Sequence, residues 1–160
     1  MAAGYQGMYP KSFCVWSKTR LGWCQPAVVD AATPQRLVLR PIQQYPNDAF
    51  LIPLNAKDGV GAEFLLLENR RVTGNDVEGQ VGLFIWRITH APDSRGLPHY
   101  ELTLPGPADK PNADQRTRRV AWPFEGVHDF VIPAQAGTLP AAIRNIRKKG
   151  DLIFFDLGPG

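Results

Sequence analysis

Apolar residues in this chain recur in short blocks and alternations, not in long helical stripes. Glu63 to Arg70 reads Glu-Phe-Leu-Leu-Leu-Glu-Asn-Arg, a nearly continuous apolar run closed by charge, which predicts a central strand. Gly82 to Ile88, Gly-Leu-Phe-Ile-Trp-Arg-Ile, predicts a second buried strand. Arg36 to Ile42 alternates and sets Leu37, Leu39 and Pro41 on one side, and Ala49 to Leu54 is a short apolar run. Asp129 to Ile132 forms a short strand before Pro133. Ala142 to Ile146 and Leu152 to Leu157 flank Arg147-Lys-Lys-Gly150-Asp151, and Gly-Asp between two alternating runs signals a hairpin. In its second strand Leu152, Phe154 and Asp156 share one face, and Ile153, Phe155 and Leu157 the other.

One helix is predicted, from Pro10 to Leu21. Pro10 suits a first helical turn, and Phe13, Trp16 and Arg20 fall at helical spacing. Lys18 and Arg20 complement the dipole near its C-terminal end, and Gly22 supplies a stop. Val72 to Gln80, Asp93 to Gly96 and Pro105 to Asp114 read as loops. Strand after strand with turn residues between them predicts a mainly β fold: an antiparallel β-sandwich or curved sheet with one short N-terminal helix.

Composition agrees with that pattern. The 160 residues are 44% hydrophobic and 21% charged, enough apolar content for a core, and 15 Gly with 15 Pro favour short strands and turns. Net charge is +3, with basic clusters at Arg116-Thr-Arg118-Arg119 and Arg144 to Lys149. Such clusters are the footprint of nucleic-acid binding, but no nucleic-acid motif accompanies them, and they read as solvated charge. No run approaches the roughly 18 apolar residues of a membrane span, and Met1 to Pro10 lacks the basic start and apolar stretch of a signal peptide. No nucleic-acid or membrane partner is therefore expected.

The search for chemistry finds no assembled site. His90, His99 and His128 are the only histidines, and no H-E-x-x-H occurs. Glu125 and His128 have E-x-x-H spacing, but Pro123 and Gly126 oppose a helix there. His90, Asp93, His99 and Glu101 could converge across a hairpin, although exposed polar residues explain them more simply. Asn75, Asp76 and Glu78 place oxygen donors in one Gly-rich loop and are weak calcium candidates. Ser12, Ser17 and Ser94 lie outside any G-x-S-x-G turn. Cys14, beside Phe13 and Val15, reads as a buried structural thiol. Cys14 and Cys24 could pair in an oxidising compartment, but two cysteines at this spacing do not decide it. Glu68 and Arg70 share a strand face, where a buried ion pair is favoured over a substrate contact. Trp23, Trp86, Trp122 and Tyr100 are candidate platforms for sugar or peptide chains, each read first as core.

Several segments taken together resemble the immune inhibitor A-type zinc metalloproteases. Trp16-Ser-Lys18…Leu21-Gly22-Trp23…Pro26 resembles that family's W-S-K-x-x-L-G-W-x-x-P stretch. Glu63 to Arg70 with Glu68-Asn69-Arg70, then Gly74-Asn75-Asp76, then Gly82 to Trp86, resembles E-Y-F-L-x-E-N-R…G-x-D…G-L-L-I-W-H. Ile143-Arg-Asn-Ile146…Gly150-Asp-Leu-Ile-Phe154 is similar to its closing hairpin. The order holds from Met1 to about Leu157.

The resemblance implies that Met1-Ala-Ala-Gly4 ends a methionine turn and that the chain begins just after the zinc ligands of a longer secreted enzyme. Residues 1–25 would be the end of its catalytic domain and 26–160 a β-rich accessory domain. The implied partners are the missing N-terminal catalytic domain and, in the parent, a peptide or protein substrate. Zinc would belong to the parent, with calcium as a candidate and no cofactor in this chain. No catalytic residue is carried over, and the isolated chain is expected to be inactive. Trp16, Lys18, Gly22, Trp23, Glu68, Asn69, Arg70 and Trp86 are implied structural positions. The family's I-W-H-x-D appears here as Ile85-Trp86-Arg87-Ile88-Thr89, so no role of that histidine or acid transfers. The alternative is a free-standing β-sandwich module that binds peptide or carbohydrate.

Overall fold

The structure, a computed structural model, describes residues 13–55, 63–71, 81–92, 98–103, 121–123, 126–133 and 137–160, with backbone alone at 90–92 and 98–102. Helix α1 (Val15–Arg20) leads into nine strands: β1 (Ala27–Val28), β2 (Gln35–Leu39), β3 (Ala49–Pro53), β4 (Glu63–Arg70), β5 (Gly82–Pro92), β6 (Pro98–Leu102), β7 (Phe130–Ile132), β8 (Ala141–Lys149) and β9 (Leu152–Gly158). They form two sheets, β1-β3-β4-β5-β6 (sheet A) and β2-β9-β8-β7 (sheet B). All pairs are antiparallel except β1 with β3. The fold is mainly β with one short helix, as the pattern predicted.

The two sheets share one core. Odd-numbered residues of β4 and β5, among them Leu65, Leu67, Leu83 and Ile85, meet Leu39, Ile143, Ile153 and Phe155 of sheet B. Even-numbered residues on the same strands face the other way. Leu66, Phe84, Trp86 and Ile88 pack against Cys14, Val15, Trp16, Cys24 and Ile42. Strands β4 and β5 are thus buried on both faces, which is why Glu63–Arg70 carries an almost unbroken apolar run. β4 is also the central strand of its sheet, as expected.

The helix is shorter than the sequence reading. Cys14 has extended backbone (φ −70, ψ 162) and acts as N-cap, so Phe13 and Cys14 stand outside α1. Pro10 lies outside the described residues. The predicted stop is observed: Gly22 has φ +74, its N–H donates to Thr19 O, and the Trp23 N–H donates to Lys18 O. These two bonds form a Schellman cap and satisfy two of the helix's last carbonyls.

The β8–β9 hairpin turns at Gly150-Asp151, with Lys149 opposite Leu152 and Gly150 at φ 61. Its first strand is longer than predicted and contains a bulge between Arg144 and Arg147, where Asn145 has φ 52. The Asn145 N–H donates to Asp129 Oδ1 and its Nδ2 to Asp156 Oδ2, which stabilises the left-handed residue. β1 and β6 were not predicted. β1 is two exposed residues without a pattern, and β6 follows a segment read as loop.

Candidate functional site

Glu68 and Trp86 form the centre of the cluster beneath α1. Period-two alternation points both toward the helix, and the β4–β5 register brings Leu66 opposite Trp86 and Glu68 opposite Phe84. The Trp86 indole Nε1–H donates to Glu68 Oε1 at 3.1 Å. Glu68 Oε2 is buried and makes no hydrogen bond among the described residues. Burial pushes the Glu68 carboxyl above the ordinary range, against the opposing influences of the Arg70 charge, the Trp86 bond, the Lys18 charge and the Val15 N–H.

A carboxyl with a raised pKa is a mark of acid–base catalysts. Here its relative exposure is 0%, and Arg70, Asn69 and Ser17 beside it are buried too. In this structure the carboxyl is closed off from solvent, and it is bonded by the Trp86 indole. Arg70 shares its strand face, attracts the carboxylate, and has its guanidinium 5.2 Å from the centre of the Phe84 ring.

Asn69 points the opposite way, into the junction between the sheets. Its Nδ2 donates to Leu39 O at 2.9 Å and to Asp151 O at 2.7 Å, while the Asn69 backbone carbonyl accepts the Ile42 N–H. One side chain thereby joins β4 of sheet A to the end of β2 and to the β8–β9 turn of sheet B. Two carbonyl partners fix the amide orientation, because only the NH₂ end can serve both.

The other motif residues divide by exposure. Trp16 is buried, tilted against Phe64 at 6.1 Å, with Arg20 over its ring. Lys18 sends its positive charge toward Glu68 and Cys24. Trp23 is 58% exposed and meets Phe13 edge-on at 5.7 Å, and Leu21 is exposed as well. Trp86 and Trp122 are core residues. Cys14 and Cys24 are buried free thiols, and the Cys14 Sγ lies 3.4 Å from Ser17 Oγ. Burial raises the Cys24 pKa first of all; Glu68 adds to this, while Thr19 and Lys18 oppose it.

Arg87 pairs with Glu63. His128 Nδ1 contacts Ile146 O at 3.0 Å beside the bulge and ties the segment before β7 to β8. Met1, Gly4, Asn75, Asp76, Glu78, Asp93, Arg116, Arg118, Arg119 and Glu125 lie outside the described residues, as do the side chains of His90, His99, Tyr100 and Glu101. Among the described residues no three His, Cys, Asp or Glu side chains gather as a metal site, and no helix is long and apolar enough to cross a membrane. The pairing of Trp86 with Glu68 and the sheet-bridging role of Asn69 were not read from sequence. Period two puts Leu66 and Glu68 on one face of β4, but only the β4–β5 register brings Trp86 to it.

No family model, curated protein or solved structure matches the chain.

Proposed function

We propose that this chain is the non-catalytic β-sandwich part of a secreted zinc metallopeptidase resembling the immune inhibitor A type, and that its α1 edge meets the zinc-binding domain. One observation carries the reading: Trp16, Glu68 and Trp86, from three motif segments far apart in sequence, pack into one buried cluster under α1. The motifs are thus parts of a single structural unit. The exposed Phe13, Leu21 and Trp23 lie on the same edge and offer apolar surface to a neighbouring domain. On this reading the parent hydrolyses peptide bonds with zinc-activated water. This chain supports the catalytic domain and contributes no ligand. The test is the reading frame upstream of the Met1 codon. An open frame encoding H-E-x-x-H supports the proposal, and an in-frame stop directly before a mapped start at Met1 refutes it.

The Phe13–Trp23 pair also favours a second reading, a free-standing module that holds a peptide or glycan against an exposed aromatic face. Trp16, Trp86 and Trp122 are buried, so ligand-induced quenching of tryptophan fluorescence would report on Trp23. Saturable quenching by a peptide or glycan panel, lost in Trp23→Ala, would favour this reading over the first.

A further inference from the structure

The outer face of sheet B carries a second surface that the peptidase reading does not use. The β2–β9 and β9–β8 registers align Arg36, Asp156 and Arg144 in one row, Val38, Phe154 and Arg147 in the next, and Leu152 with Lys149 beyond. Arg36, Val38, Arg144, Arg147 and Lys149 are all exposed. In a regular strand Arg144 and Arg147, three apart, would point to opposite faces. The bulge at Asn145 resets the phase, so both guanidinium groups join Lys149 on the solvent face while Ile143 and Ile146 stay in the core. Arg36 and Arg144 thus flank Asp156, Arg147 and Lys149 follow in the next two rows over a floor of Val38, Leu152 and Phe154, and Asp129 caps the Asn145 N–H at the bulge. That carboxylate, Asp156, already accepts hydrogen bonds from Arg36 Nε and Asn145 Nδ2, both at 2.9 Å.

We propose that this face docks an extended acidic polypeptide segment that carries an acidic residue at every second position. Charge complementarity selects an anionic partner, and three of the four cations are arginines, whose planar forks suit carboxylates. The spacing selects an extended chain. Outer-face positions along β8 recur at about 6.6–6.8 Å, the repeat at which every second side chain of an extended peptide falls. The methylene stems of those acidic side chains cross the Val38–Leu152–Phe154 floor, and the intervening residues face solvent. A single-stranded nucleic acid fits less well. The Arg147 guanidinium lies 5.6 Å from the centre of the Phe154 ring and covers the aromatic face a base would need, and Asp156 would oppose a continuous phosphate backbone.

Fluorescence anisotropy tests this with a fluorescein-labelled Glu-Val-Glu-Leu-Glu-Val-Glu-Leu peptide, at about 20 mM and about 200 mM NaCl. The same peptide with Lys for Glu and a labelled oligothymidylate of about twelve nucleotides serve as comparators. Saturable binding of the acidic peptide is expected, weaker at the higher salt and reduced about tenfold or more in Arg144→Glu/Arg147→Glu. Lys149→Glu, at the exposed end of β8, should weaken binding about threefold and provides the test if the double variant melts early. No saturable binding at low salt, equal binding of the lysine peptide, unchanged affinity in the folded charge-reversal variants, or tighter binding of the oligonucleotide would each overturn the proposal.

Discussion

Asn69→Ala removes the side chain that joins the two sheets at their junction, and its cost can be worked from the contacts. The amide makes two hydrogen bonds, to Leu39 O in a buried setting and to Asp151 O in a partly buried one. Stranding a buried carbonyl costs about 1–3 kcal/mol, whereas a carbonyl that water can reach costs only the net bond, about 0.5–1.5 kcal/mol. The sum is about 1.5–4.5 kcal/mol. For a domain of this size that corresponds to a fall in Tm of roughly 3–18 °C. Asn69→Asp should cost at least as much, because it aims carboxylate oxygens at two carbonyls and supplies no donor. Urea unfolding followed by tryptophan fluorescence measures the loss, with an unchanged m-value showing that the unfolded state is the same. Arg71→Ala is the control. It removes the exposed Arg71–Asp151 pair on the same turn, worth about 0–1 kcal/mol. A loss below about 0.5 kcal/mol for both Asn69 variants would refute the idea that this amide holds the sheets in register.

Glu68→Gln tests the buried carboxyl. Its native pKa is raised above the unfolded value of about 4.3, so the folded state binds the extra proton, and wild-type stability declines as pH rises from about 4 toward the native pKa. Gln keeps an acceptor for Trp86 and cannot ionise, so the variant should gain on the wild type across that window; the opposite slope in pH-dependent urea melts would show that Arg70 and Lys18 dominate. Gly82→Ala should lower stability by about 2–4 kcal/mol, since Gly82 has φ 136 and a Cβ there would lie 2.6 Å from Trp122 O; an unchanged melting curve would count against this packing. Cys14 and Cys24 should react with Ellman's reagent only on unfolding, being 1% and 2% exposed; fast labelling of the native protein would show that the α1 edge opens.

The elements legible in the sequence were those whose burial is set locally. Strand β4 matches its predicted bounds because both its faces are covered, so its whole length had to be apolar until Glu68-Asn69-Arg70. The β8–β9 turn was marked by Gly150 and Asp151, and the faces of β9 follow simple alternation. The start of α1 was misplaced because Phe13 and Trp16 fit helical spacing, yet Phe13 is exposed and Cys14 caps the helix with extended backbone. The bulge at Asn145 was hidden for a related reason. Arg144 and Arg147 read as opposite faces unless a left-handed residue intervenes, and contacts to Asp129 and Asp156 far along the chain stabilise that residue. The role of Asn69 depends on Leu39 and Asp151, whose proximity only the tertiary fold creates. Of the candidate site, Glu68 and Arg70 are legible as a same-face pair and Trp86 as a core residue; that the three form one cluster beneath α1 came from the register of β4 and β5.

The most direct measurement of the central claim is casein hydrolysis by two purified proteins side by side: the 160-residue chain, and the same chain extended through its upstream reading frame. The account predicts zinc-dependent, chelator-sensitive cleavage by the extended protein and none by the chain alone. Chelator-sensitive cleavage by the isolated chain, or an extended protein that binds no zinc and leaves casein intact, would contradict it.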